Sequence, residues 1–173
     1  MRKLYSHRNS LSMRGTTAIK DEHDKDVYLI NGRWGMHADV MSVYDPLGNL
    51  EAEIKQKSLG MLPKFALYYH RQYAGSLRRY YGVSREMLFV KGLNWLILGN
   101  LLTFKYKVYH GRECIMTINE VELASGSYLE FTIAHQEDEA LLLCVVAILD
   151  YWAKTGQRKK ERLQIIKANL AFN

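Results

Sequence analysis

Polar and apolar residues alternate along most of this chain. In Glu51-Ala52-Glu53-Ile54-Lys55-Gln56-Lys57, Ala52 and Ile54 fall on one side of an extended backbone, and Glu51, Glu53, Lys55 and Lys57 on the other. Between Thr103 and Tyr109, Phe104, Tyr106 and Val108 share a side, with Lys105 and Lys107 opposite; Leu129, Phe131 and Ile133 repeat the arrangement. A period of two belongs to strands with one buried face, and helical spacing fits none of these runs. Turn-forming residues separate them. Asp21-Glu22-His23-Asp24-Lys25-Asp26, Asp45-Pro46-Leu47-Gly48-Asn49, His70-Arg71-Gln72, Gly92 and His110-Gly111-Arg112 are the breaks. The pattern predicts a chain of hairpins with about eleven or twelve short strands.

The pattern then changes. Gln136-Glu137-Asp138-Glu139 opens a helix, with three acids in the first turn where the positive end of the helix dipole favours them. The helix body runs from Ala140 to Ala153, with Lys154 in the last turn and Gly156 as its stop. Ala140 to Leu149 is apolar on every side. A surface helix shows one apolar stripe, whereas a helix apolar all round must be surrounded. One-faced strands and a helix in need of cover are satisfied together if the sheet closes around the helix, which also removes the sheet edges. A barrel filled only by side chains needs about eight strands, and about twelve open room for a helix about 10 Å across. The expected fold is mainly β, a closed antiparallel barrel of about twelve strands around a central helix spanning about residues 137–154.

The order of these signals resembles the tubby C-terminal-like fold and, within it, the LURP-one-related family. The resemblance is carried by Ile19-Lys20-Asp21-Glu22, by Val43-Tyr44-Asp45-Pro46-Leu47-Gly48-Asn49, and by Ile54-Lys55-Gln56-Lys57 followed by Leu62-Pro63-Lys64-Phe65. Glu137-Asp138 leading into Leu141-Leu142-Leu143 completes it. It covers roughly residues 10–153 and implies a twelve-stranded barrel around a central helix. The wider fold includes phosphoinositide-binding tubby proteins and phospholipid scramblases, while many LURP-one-related proteins have no assigned activity. No lipid-contacting residue of tubby proteins can be matched to a position here. About 20 residues follow the helix, where a tubby chain ends soon after it.

Composition and charge refine the picture. A chain of 173 residues suits one domain, expected over residues 1–155, with 156–173 as a basic tail of helical character. Net charge of +6 conceals blocks. Residues 1–14 carry four basic groups and no acid; residues 55–112 carry eleven basic groups against Glu86; residues 113–153 carry eight acids and no Lys or Arg. Folded together, the blocks give either a basic and an acidic face or strand-to-strand pairs that cancel. Cys114 and Cys144 lie in apolar sequence and read as core thiols of a reducing compartment. The basic N-terminus lacks the apolar run of a signal peptide, and ten apolar residues are too few to span a bilayer, so a cytoplasmic protein, peripheral at the membrane where it docks on one, is expected.

Candidate chemistry is sparse. His7, His23, His37, His70, His110 and His135 form no metal-ligand spacing, so neither metal nor cofactor is expected. No nucleophile elbow or phosphate loop is present, and acids such as Glu51 and Glu53 read as solvated, which points away from an enzyme. Arg71, Arg78, Arg79, Lys105 and Lys107 lie on predicted strands and turns among Tyr68, Tyr69, Tyr73, Tyr80 and Tyr81, a mixture that suits anionic headgroups or nucleic acid. In the tail, Arg158, Lys159, Lys160 and Arg162 accompany Leu163, Ile166 and Leu170 on a helical face, suited to acidic membrane or to a partner protein. The expected function is a non-enzymatic binding or scaffold module on acidic phospholipid or phosphoinositide headgroups. The alternative is a regulator that binds nucleic acid or protein through the same basic groups.

Overall fold

A computed structural model of the chain describes residues 1–8, 11, 15–33, 39–58, 64–80, 86–100 and 103–153. Among them are twelve strands: β1 (Arg2–His7), β2 (Gly15–Asp21), β3 (Asp26–Arg33), β4 (Val40–Tyr44), β5 (Leu50–Gln56), β6 (Phe65–Tyr69), β7 (Gln72–Tyr80), β8 (Glu86–Lys91), β9 (Trp95–Asn100), β10 (Lys105–His110), β11 (Glu113–Leu123) and β12 (Gly126–Ile133). Each pairs antiparallel with its neighbours in sequence, and β1 closes the barrel between β12 and β2. A short 3₁₀ turn, Gln136–Asp138, leads into one helix, α1 (139–153).

The alternation in the sequence becomes the two faces of the sheet. Leu88, Ile97, Val108, Met116 and Ile133 pair in turn across β8 to β12, and all are buried. Ala52 and Ile54 of β5 face the same interior. Gly99 of β9 lies opposite Tyr106, and a Cβ at Gly99 would strike the Tyr106 ring. The bare backbone there makes room for a phenol that is 2% exposed. The Asp45–Asn49 turn forms as its residues dictate. The Asp45 carboxylate accepts the N–H groups of Leu47 at 2.9 Å and Asn49 at 2.8 Å, and Gly48 takes a φ of 88°.

Twelve consecutive helix residues, Glu139 to Asp150, are buried, and they share one core with the inward side chains of the strands. A helix with no wet side beside a closed sheet is enclosed by that sheet. Two of its buried residues are acids. The Glu139 side chain is fully buried, with Arg2 Nη1 at 3.0 Å, and it accepts a hydrogen bond from the Tyr28 hydroxyl at 2.9 Å. Asp150 is fully buried with Arg8 Nη1 at 2.6 Å. Arg2, Leu4 and Ser6 of β1 alternate onto the inner face, and Arg8 continues the series. Six strand steps from Arg2 to Arg8 span about 20 Å, and eleven helix steps from Glu139 to Asp150 about 17 Å. The first strand therefore runs alongside the helix with a guanidinium at each end of its buried stretch.

The N-terminal block was read as basic sequence and not as a strand; it is a stave of the barrel. Glu139, expected in the first turn on account of the helix dipole, is also buried and paired with Arg2. Cys144 is a core residue whose thiol is pushed well up by burial, whereas Cys114 is only half-buried. Residues 156–173 lie outside the described residues.

Two outcomes follow from these contacts. Removing Arg8 or Asp150 alone (Arg8→Met, Asp150→Leu) should cost about 3–5 kcal/mol in urea unfolding, because a buried charge loses its partner. The double variant should recover a large part of that loss; additive losses would show that the two groups do not interact. At the start of the helix connection, His135 Nε2 lies 2.7 Å from Glu113 Oε1, and that hydrogen bond and charge raise the imidazole above its ordinary 6.5. The folded state thus favours the protonated ring. The pair's contribution is present below the unfolded pKa and is lost as pH rises through the folded one. The His135 ring should titrate above 6.5 by NMR and return towards 6.5 in Glu113→Gln.

Candidate functional site

Strand parity sorts the basic residues singled out in the sequence. On β7, Leu77 is fully buried, so Arg78 points outward and Arg79 inward. Arg79 pairs across the sheet with buried Leu88, and its guanidinium lies 5.2 Å from the centre of the Trp152 ring on α1. Arg78 is exposed. On β10, Lys105 and Lys107 are exposed between buried Phe104, Tyr106 and Val108, as their alternation predicts. Arg71 is exposed in the turn between β6 and β7, seven residues from Arg78 and therefore about 23 Å away along the strand. Arg158, Lys159, Lys160 and Arg162 lie outside the described residues. The structure thus groups Arg78, Lys105 and Lys107, sets Arg71 apart, and turns Arg79 towards the helix.

The register shows what lies between the grouped cations. One outward row crosses four strands as Arg78, Phe89, Leu96 and Tyr109. The next crosses the same strands as Tyr80, Met87, Leu98 and Lys107. Lys105 continues β10 beyond the second row, and exposed Lys91 lies opposite Ser76 at the far end of β8. Neighbouring strands are about 4.8 Å apart, so each row is about 14 Å wide. The outer face of β7 to β10 therefore carries Met87, Phe89, Leu96 and Leu98 at its centre, with Arg78, Lys91, Lys105 and Lys107 around them. Met87 is 42% exposed and Tyr80 46%. None of the four cations makes an ion pair with a described residue.

The other basic blocks behave differently. Arg2, Lys3 and Arg8 pair with Glu139, Glu130 and Asp150, and Arg8 Nε also lies 3.5 Å from Glu120. Lys55 pairs with Glu53 at 2.9 Å in an outer groove shared with Asn31, Ser42 and Tyr44. The described N-terminal cations thus pair with acids of the 113–153 block, on the helix as well as on the strands, while among the described residues the 55–112 block leaves a group of cations without an ion pair on one face. Among the described residues no group of three or more His, Cys, Asp or Glu side chains is placed to hold a metal, and no helix is long and apolar enough to cross a membrane.

The profile of LURP-one-related proteins matches residues 2–150, through all twelve strands and the buried part of the helix. The chain belongs to the LURP-one-related family. It is also 22% identical over 150 residues to an uncharacterised protein, YxjI, of Bacillus subtilis (strain 168), covering 87% of this chain and 93% of that one. No solved structure matches it significantly.

The family match begins eight residues before the stretch read from sequence motifs, which agrees with β1 as part of the fold. The apolar centre of the outer face was missed, although its signal was present. Met87-Leu88-Phe89-Val90 and Trp95-Leu96-Ile97-Leu98 are unbroken apolar runs where a one-faced strand of this LURP-one-related barrel should alternate. Such runs mark strands covered on both faces. The adjacent arginines also separate on inspection of parity, since Leu77 fixes Arg79 to its own side.

Arg78 and Arg79 should therefore respond differently to truncation. Arg78→Ala should leave stability within about 0.5 kcal/mol of wild type, while Arg79→Ala should lose about 1–2 kcal/mol with its stack on Trp152. Thermal or urea unfolding measures both; equal losses would contradict the assignment of faces.

Proposed function

We propose that this LURP-one-related protein is a non-enzymatic module that docks on acidic phospholipid, phosphoinositides included, through the outer face of β7 to β10. The observation that carries the reading is the group formed by Arg78, Lys91, Lys105 and Lys107, exposed on adjoining strands and without a carboxylate partner among the described residues. Each basic group near an anionic bilayer contributes about 1 kcal/mol, so four give recruitment that salt weakens. Arg71 is far enough along the strand to act only as an outlying contact, and Arg79 belongs to the helix contact instead. Arg158, Lys159, Lys160 and Arg162 would add to the attraction from the tail. The nucleic-acid reading is less favoured, because Met87, Leu96 and Leu98 in the middle of the cationic group offer phosphates no donor.

The test is flotation of the full chain with vesicles of phosphatidylcholine alone or with added phosphatidylserine. Binding should be strongest on the acidic vesicles at low salt and fall as salt rises. Reversing two charges (Lys105→Glu with Lys107→Glu) should weaken it roughly thirtyfold or more. Indifference to acidic vesicles at low salt, with tight salt-sensitive binding of DNA or RNA, would replace this reading with the nucleic-acid one.

A further inference from the structure

The outer face of a closed barrel in water is expected to be polar, and β5 and β10 obey that rule with Glu53, Lys55, Lys105 and Lys107. Strands β8 and β9 do not. Met87 and Phe89 point outward beside Leu98 and Leu96, Met87 exposed and the other three half-buried, and the four side chains make a block two residues long on two adjacent strands. The block is framed within its own rows. The first row ends in Arg78 on one side and Tyr109 on the other, and the second in Tyr80 and Lys107.

A second copy, nucleic acid and an acidic bilayer would meet such a face differently. A second copy meeting it face to face would bring cationic frame against cationic frame. Nucleic acid would satisfy the cations and leave the apolar centre against phosphates. An acidic bilayer offers both parts at matching depth: anionic headgroups for Arg78, Lys91, Lys105 and Lys107, and below them the acyl boundary for the apolar block. Tyr80 and Tyr109 sit where an aromatic side chain prefers the headgroup level. The backbone permits this as well. Strands β8 and β9 are hydrogen-bonded on both sides, so their face can enter a dehydrated layer without exposing unpaired N–H or C=O groups.

We propose that Met87, Phe89, Leu96 and Leu98 insert beneath the headgroups of an acidic phospholipid bilayer, held in place by the cations around them. This rests on the docking function proposed above and goes beyond it, since electrostatic docking alone requires no insertion. Apolar side chains on a bound surface reach about 5–10 Å into the headgroup and acyl boundary, a depth that outward residues of a two-strand block can reach without the barrel deforming. Binding then has two components, one that salt removes and one that it does not.

The experiment uses the full chain with phosphatidylcholine–phosphatidylserine vesicles and two changes on the outer face. In Phe89→Ser with Leu96→Ser, the fraction bound at 0.5 M salt should fall roughly tenfold or more, the scale set by losing one buried apolar side chain. Unchanged circular dichroism and thermal unfolding confirm that the barrel is intact. In Phe89→Trp, the added fluorescence should shift to the blue on acidic vesicles and be quenched by lipids brominated on their acyl chains, relative to the wild type. Salt-labile binding that the double serine variant leaves unaltered, with the new tryptophan unquenched, overturns insertion and leaves the docking function standing. Absence of binding to any vesicle overturns both. A dimer in sedimentation that the serine variant dissociates, or a blue-shifted tryptophan in the free chain that moves to the red when residues 156–173 are removed, assigns the face to a second copy or to the tail and overturns insertion.

Discussion

An α-helix with no polar side cannot rest on a surface, and that constraint organises this molecule. From Glu139 to Asp150 every residue is buried. The backbone of α1 satisfies its own hydrogen bonds, but its side chains need apolar contact in all directions. A flat sheet covers one side of a helix; a sheet that closes covers all of them and leaves no edge of its own. Twelve strands close with enough internal width for one helix, and the inward residues of the strands complete the packing. The same enclosure creates a difficulty, because the helix carries two acids at the ends of its buried stretch. Arg2 of β1 and Arg8 just beyond its end meet it. The strand that closes the barrel is thus also the strand that neutralises the helix. Closure and charge compensation use the same strand.

That division of charge shapes the outside. Arg2 and Arg8 turn inward, and Lys3 and Arg8 pair with acids of β12 and β11. Among the described residues the group on β7 to β10 makes no ion pair, and it lies next to the stretch of the barrel whose outer face is apolar. The interior takes up two acids of the acidic block, Glu139 and Asp150, and the cations of β7 to β10 have no carboxylate partner among the described residues. A solvated face would need neither their grouping nor the apolar block that they surround. The docking function and the insertion proposed for this face draw on that combination, and neither depends on the helix except through the rigidity of the barrel that it fills.

Much of the fold is legible in the chain because its signals are local. Alternation in 51–57, 103–109 and 128–133 gives the right inward residues, since strand geometry assigns faces from spacing alone. Asp45-Pro46-Leu47-Gly48-Asn49 gives its turn for the same reason, with every contact inside five residues. The apolar run from Ala140 gives enclosure, and enclosure gives closure. What was not legible depends on partners distant in sequence. Nothing within Arg2–His7 shows that Arg2 serves Glu139, 137 residues later, or that Arg8 serves Asp150, 142 residues later. Without those acids the segment reads as a basic tail. The candidate surface was legible in part: Lys105 and Lys107 from alternation, Arg78 from its neighbours. Arg79 was misplaced because adjacent like charges invite one assignment, whereas a strand gives them opposite faces. The unbroken apolar runs of β8 and β9 mark Phe89 and Leu96 as outward apolar residues, but only register shows that they lie side by side.

Cys144, midway along the buried helix and fully buried, offers the most direct test of enclosure. Its labelling by a thiol reagent can be followed on the native chain in increasing urea, with Cys114, half-buried on β11, as the internal reference. If the barrel surrounds the helix, Cys144 reacts only through global unfolding, and its opening free energy equals that of the whole domain while Cys114 reacts sooner. Labelling of Cys144 in the native state as fast as that of Cys114, with no dependence on global stability, would show a helix with a side open to solvent and would contradict the account.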